Sequence, residues 1–255
     1  MARVSSLAIP ANLSSCVTRL MFVDSDGRSR VCDVDTSLPS GAIIAGRPAR
    51  SFSAWPGKRN YEGEWWSSTT RTLLAFESLL EEQALLVFDF DTSVSWIAVQ
   101  PFALLWPRSP GRGPRHHVPD LLLGLVDGSY MVVDVRPAAL IDARAADQFE
   151  RTEEVLERAG WSYQVFNGLS EPRLSNLRFL AGFRQDRYAV DEETEATICS
   201  LIGSGSSVAS GVESVQARTR WAWSRSLGAV NHLLWRQSLR TDLDVLLRMD
   251  SWVSM

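Results

Sequence analysis

Apolar residues recur along this chain with two different periods, and the changes between them outline its elements. "RLMFVDSDGRSRVCDV" contains two short β-like runs around Ser25-Asp26-Gly27, a hairpin signal. The following "SGAIIAGRPARSFSAWPGKRNYEGEWW" is rich in turn residues and shows no helical period. "LLAFESLLEEQALLVFDF", residues 73–90, reads as a helix from its length and its Leu, Glu and Ala content. "VSWIAVQPF" reads as a strand. "DARAADQFERTEEVLERAG" is an amphipathic helix closing at Gly160, and "WSYQVF" is a strand directly after it. Strand, helix and strand in that order form a crossover unit, which predicts a partly parallel sheet covered by helices. "EPRLSNLRFLAGF" supplies a further helix, with Pro172 near its first turn. Beyond it, "DEETEATICSLI" and "SLGAVNHLLWRQSL" look helical and are joined by the Gly/Ser-rich "GSGSSVASG". Three sections follow: a β-rich extension over 1–48, an α/β domain over 49–185, and a small, mainly helical, winged-helix-like unit over 186–255.

One stretch breaks the pattern. "HHVPDLLLGLVDGSYMVVDVRP", residues 116–137, is a hairpin with apolar arms, yet Asp120 and Asp134 stand where buried strands carry Val or Leu. A two-residue turn at Asp127-Gly128 puts the two aspartates on opposite faces. A three-residue turn with Gly128 or its neighbour left-handed sets Asp120 opposite Arg136 and gathers all three polar residues on one face. Carboxylates held together in a low-dielectric setting repel unless a cation compensates them, and hard divalent ions suit carboxylate oxygens. The plainer alternative has both aspartates ending strands and pairing with nearby arginines.

Composition narrows the class. The 255 residues are 45% hydrophobic and 22% charged, as in globular proteins, and are enough for a sizeable core. A net charge of −4 excludes a protein that coats nucleic acid through a global basic field. Lys58 is the only lysine, and every other cation is arginine. No apolar run approaches a membrane span, and the N-terminus lacks the pattern of a signal peptide. Cys16, Cys32 and Cys199 are scattered like reduced thiols, so a cytoplasmic location is the expectation.

A Pro-Asp pair, a hairpin, an acidic-x-basic triplet and an upstream helix bearing glutamate form the PD-(D/E)xK constellation of restriction-endonuclease-like nucleases. More narrowly, residues 49–185 resemble the TnsA-like endonuclease subunit of heteromeric transposases. The resemblance rests on "SFSAWPGKRNYEGEWWSSTT", "FESLLEEQALLVFDFDTSVSWIAVQPF", "RHHVPDLLLGLVDG", "VVDVRP" and "NLRFLAGFR", in the family's order, with "AVNHLLWRQSLRTDLDVLL" near the C-terminus. It implies a restriction-endonuclease-like mixed β-sheet flanked by helices. It also implies a Mg²⁺ site, with Mn²⁺ as substitute, held by Glu81 of the Ser-x-x-Glu pattern, Asp120, Asp134 and the Val135 carbonyl. Glu77, one turn earlier, is the fallback for Glu81. Arg136 occupies the family's lysine position; it keeps the charge but cannot act as a base. The implied activity is hydrolysis of the strand at the transposon end that the partner does not join. The implied partners are DNA, a TnsB-like DDE transposase and a TnsC-like AAA+ ATPase, with no membrane.

Two further groups carry charge. Arg108, Arg112, Arg115, His116 and His117 precede the Pro-Asp strand and suit either a phosphate clamp or a solvated loop. His116 and His117 do not form a metal pair, because neighbours on a strand point to opposite faces. Residues 214–240 hold Arg218, Arg220, Arg225, Arg236 and Arg240 without an acid, interleaved with Trp221, Trp223 and Trp235. They suit a DNA-facing or partner-facing surface, or core tryptophans beneath an arginine rim. The alternatives to an active subunit are a catalytically silent DNA-binding or assembly subunit of the same fold and a stand-alone nuclease.

Overall fold

A computed structural model describes residues 17–50, 61–107 and 116–255. The chain is mixed α/β and divides into two units: Met1–Leu85 with Ser93–Gly168, and Leu86–Thr92 with Leu169–Met255. Among the described residues, no helix is long and apolar enough to cross a membrane, and Cys32 and Cys199 are free thiols.

In the first unit the expected N-terminal hairpin forms. Strands β1 (Arg19–Val23) and β2 (Ser29–Asp33) pair antiparallel, and Gly27 (φ 83) supplies the left-handed turn residue. β1 also pairs with the later β6 (Phe102–Leu105), so β1 and β2 belong to this unit's own sheet and do not stand apart as an extension. A short helix α1 (Ser40–Ile44) forms where no helical period was visible. β3 (Gly63–Ser67) and β4 (Thr72–Phe76) make a separate antiparallel pair.

The helix expected over 73–90 is shorter: α2 spans Leu79–Phe90, and the residues before it are β4. The reason is local. Ser78 Oγ accepts from Glu81 N at 3.2 Å, and Glu81 Oε2 accepts from Glu77 N at 2.8 Å, a capping-box arrangement that starts the helix after Ser78. "VSWIAVQPF" is likewise not one strand. Gln100 adopts φ 45, so β5 (Val94–Val99) stops there and β6 enters the other sheet.

Two four-stranded sheets result. One has the order β2-β1-β6-β7, where β7 is His116–His117; the other has the order β10-β9-β8-β5. In the second, β8 (Leu121–Leu125) and β9 (Tyr130–Val135) form the hairpin, α3 (Ala143–Glu157) crosses over, and β10 (Ser162–Phe166) pairs parallel with β9. The predicted crossover unit is therefore present. Phe22, Phe102, Leu104, Leu122, Val132 and Leu156 come from both sheets and α3 and form one buried cluster. Removing each such side chain from water stabilises the fold by about 1.5–3 kcal/mol.

The second unit contains α4 (Arg173–Ala181), which therefore groups with the C-terminal residues and not with the preceding α/β unit. Next come α5 (Glu192–Ile202), β11 (Ser206–Ser207), α6 (Val208–Thr219), α7 (Trp223–Trp235), β12 (Arg240–Thr241) and β13 (Trp252–Ser254). The strands form a small sheet of order β11-β13-β12. The stretch "GSGSSVASG" is not a linker: Ser207 caps α6 by accepting from Ser210 N at 3.1 Å, so the Gly/Ser run contains a strand and a helix start. Asn176 fastens the C-terminal segment, donating to the Leu243 and Val245 carbonyls and accepting from Leu247 N, each at 2.8 Å.

Candidate active site

The β8–β9 register decides between the two turns. Leu121 pairs with Val133, Leu122 with Val132 and Gly124 with Tyr130, and Leu125 N donates to Ser129 O across the hairpin's end. The loop is therefore three residues, Val126-Asp127-Gly128, with Gly128 at φ 87. Asp127 Oδ1 accepts from both Ser129 N and Ser129 Oγ and fixes this turn one residue earlier than expected. Continuing the register one step sets Asp120 opposite Asp134, not opposite Arg136. Both carboxylates remain on one face because the shift preserves parity.

That face is the one that carries Leu122 and Val132 in the apolar core, so the aspartates interrupt a buried stripe at the C-terminal end of β9. In sheets with parallel crossovers, ligands gather at this end of the strands. Asp134 is only 3% exposed. Its Oδ2 lies 2.8 Å from His117 Nε2 and accepts from Tyr163 Oη at 2.6 Å. Asp120 Oδ2 accepts from Val135 N at 2.7 Å. Burial, then the Asp134 charge, push the Asp120 carboxyl up to about 7, with Glu81 adding to the rise. Burial also raises the Glu81 carboxyl, against hydrogen bonds from Glu77 N and Ser78 Oγ that lower it.

Glu81, His117, Asp120, Asp134 and Arg136 line one open cleft of about 600 Å³. Glu81 faces this cleft, yet both of its oxygens are turned back on the start of α2, Oε2 to Glu77 N and Oε1 to Ser78 Oγ. Glu77, the fallback, forms an ion pair with Arg50 at 2.6 Å. Arg136 is exposed at the rim, its Nε donating to Leu140 O at 3.2 Å. His116 and His117 do point differently: His116 is exposed, while His117 reaches inward. His117 is engaged within the cluster through both ring nitrogens, to Asp134 and to Gln148, and so does not stand free as a phosphate clamp. Arg108, Arg112 and Arg115 lie outside the described residues.

The cleft also contains residues that the sequence did not single out. Arg50 and Arg144 add cations to its wall, and Gln148 and Asp142 join from α3 and its cap. The spacing of Arg144 and Gln148, one helical turn apart, was the available signal. Among the described residues, no three His, Cys, Asp or Glu side chains form a group that could hold a metal ion as placed. The donor chemistry nevertheless fits Mg²⁺ or Mn²⁺. Such ions use one or two carboxylates, with water and substrate phosphate completing the shell, and Asp120 and Asp134 supply two opposed hard oxygens. A cation there would also relieve the repulsion that raises Asp120.

In the second unit, Trp235 is buried while Trp221 and Trp223 are partly exposed. Arg225 stacks over the Trp221 ring at 4.0 Å. The stretch 214–240 thus divides between core and surface. The chain matches no protein-family model and no curated protein.

Proposed function

We propose that this protein is the metal-dependent DNA endonuclease subunit of a heteromeric transposase, hydrolysing a phosphodiester at the transposon end. The observation that carries the reading is the placement of Asp120 against Asp134 in a cleft walled by Arg50, Arg136 and Arg144. A buried and a half-buried acid at the base, with cations at the wall, suit a phosphodiester brought to a divalent ion. The four-stranded sheet β10-β9-β8-β5, with its Asp-bearing hairpin and crossover helix, supports a restriction-endonuclease-like fold for the first unit. The order α5-β11-α6-α7-β12-β13 supports a winged-helix-like second unit, which serves a DNA or protein partner.

In this reading Asp120 and Asp134 would hold Mg²⁺, and Glu81 would join them on leaving its cap. The ion would lower the pKa of a bound water and neutralise charge developing on the scissile phosphate. Arg136, permanently charged, steadies the phosphate and orients the attacking water without taking a proton. Arg50 and Arg144 bind neighbouring phosphates. The partners are DNA, a TnsB-like transposase and a TnsC-like ATPase, which together position the strand.

The test uses the assembled complex, because an isolated subunit lacks positioning. Asp120→Ala should abolish Mg²⁺-dependent cleavage of transposon-end DNA while association with the partners persists. A second reading, a catalytically silent assembly subunit of the same fold, is favoured by the engagement of both Glu81 oxygens in the α2 cap. Wild-type protein that cuts no strand with transposase, ATPase, Mg²⁺ and Mn²⁺ all present would establish that second reading.

A further inference from the structure

Four elements meet around Asp134, and side chains from two of them reach one of its oxygens. Asp134 is on β9, Tyr163 on the parallel neighbour β10, His117 on β7 of the other sheet, and Gln148 on the crossover helix α3. Tyr163 Oη donates to Asp134 Oδ2 at 2.6 Å, and His117 Nε2 lies 2.8 Å from the same oxygen. Gln148 Nε2 stands 2.9 Å from His117 Nδ1. An ionised carboxylate only accepts, so His117 must present N–H at Nε2. Gln148 Nε2, an amide donor, faces Nδ1, so the chain of donors runs from Gln148 through His117 to Asp134.

The side chains of His117 and Asp134 are 10% and 5% exposed, so water competes poorly for these bonds. Tyr163 Oη, 2.6 Å from a carboxylate oxygen, stands there as the donor. Holding the two sheets and α3 together does not require two polar groups on one atom and a third behind them. The apolar cluster beneath, with Leu122, Val132 and Leu156, already does that. What the bonds achieve is orientation: with Oδ2 occupied twice, the other oxygen of Asp134 is the one left for a ligand in the cleft.

We infer that Gln148, His117 and Tyr163 form a positioning relay that aims Asp134 at a divalent cation. The inference rests on the metal-site reading given under Proposed function and assigns His117 a role other than contact with DNA. Groups that orient a ligating side chain are worth 10–100-fold in metal affinity when removed.

The test is direct binding of Mn²⁺ alone to the full-length protein, followed by electron paramagnetic resonance, with no DNA and no activity readout. His117→Ala should weaken Mn²⁺ binding about 10–100-fold. His117→Gln, whose amide nitrogen can occupy the place of Nε2, should restore it to within about threefold, which a merely space-filling role would not require. Gln148→Ala should show a smaller loss in the same direction. Tyr163→Phe keeps the ring and its packing, so it tests the relay even where His117→Ala fails to fold. Mn²⁺ binding lost in Asp120→Ala but unchanged in both His117→Ala and Tyr163→Phe would overturn the relay and leave the metal site standing. His117→Gln as weak as His117→Ala, with both melting like wild type, would also overturn it. Wild-type protein that binds no Mn²⁺ would overturn the metal-site reading itself, and the relay with it.

Discussion

Val135 N donates to Asp120 Oδ2 at 2.7 Å, which holds one carboxylate against the strand that carries the other. The hairpin thereby places Asp120 opposite Asp134 at the cost of electrostatic repulsion. Such a pair is poorly suited to stabilising a protein and well suited to a cation.

The first prediction follows from that repulsion. Burial and the Asp134 charge push the Asp120 carboxyl up to about 7, from an ordinary value of 3.8. A folded-state pKa raised for an acid means that the native state binds more protons than the unfolded chain between those values. Stability therefore falls as pH rises from about 4 to 7 and is level above, a loss on the order of 4 kcal/mol from this group. Asp120→Asn keeps an oxygen for Val135 N and removes the charge. It should melt several degrees above wild type at pH 8 in metal-free buffer and close to wild type near pH 4. Equal melting of the two proteins at pH 8 would contradict the strain assigned to Asp120.

The second prediction separates the two roles of Glu81. As a cap it accepts from Glu77 N and Ser78 Oγ. As a metal ligand it must offer charged oxygens to the cleft. Glu81→Gln retains an accepting oxygen for the cap, so its stability should stay within about 0.5 kcal/mol of wild type, while Glu81→Ala should lose about 0.5–2 kcal/mol. Both should reduce cleavage in the assembled complex if Glu81 moves to the metal. Denaturant melts of the two variants, set beside their cleavage rates, check this. A Gln variant as active as wild type would confine Glu81 to capping.

The physical reach of the sequence is visible in these same residues. The crossover β9–α3–β10 was legible because an amphipathic run over 143–157 is bounded by Gly160 (φ 72) and followed by a strand, signals that need no tertiary context. The shared face of Asp120 and Asp134 was legible from parity once a three-residue turn is taken, and a two-residue turn would have parted them. The partner of Asp120 was not, because the choice of turn rests on the Asp127 side chain accepting from Ser129. The helix start was misplaced because Leu73 to Phe76 have helix-compatible composition, and pairing with β3 overrides it. The strand and helix within "GSGSSVASG" were hidden because serine signals turns and helix caps equally. Tyr163, Arg144 and Gln148 reach the site through chain crossings that no local window contains.

The last prediction turns on Arg136, the position where the resemblance places lysine. Its guanidinium stands at the cleft rim, anchored by Nε to Leu140 O at 3.2 Å, and its main chain is fixed by Phe166 O and the Asn167 side chain. A group so held keeps its charge in a set direction. If its role is electrostatic, Arg136→Lys keeps the charge and should hold the cleavage rate to within about tenfold, equivalent to roughly 1.4 kcal/mol of barrier. Arg136→Ala should lose far more, since it removes a cation aimed at the charge that develops on the phosphate. If hydrolysis instead needs this position to give up a proton, arginine cannot supply it. Arg136→Lys would then raise the rate by orders of magnitude and introduce a steep pH dependence below the lysine pKa. Rates for the three proteins across pH, at one Mg²⁺ concentration and in the assembled complex, distinguish the cases. Near-equal rates for Arg and Lys with a common pH profile support the electrostatic role. A lysine-dependent gain would identify the natural protein as a weakened nuclease whose remaining contribution is to hold DNA and partners together.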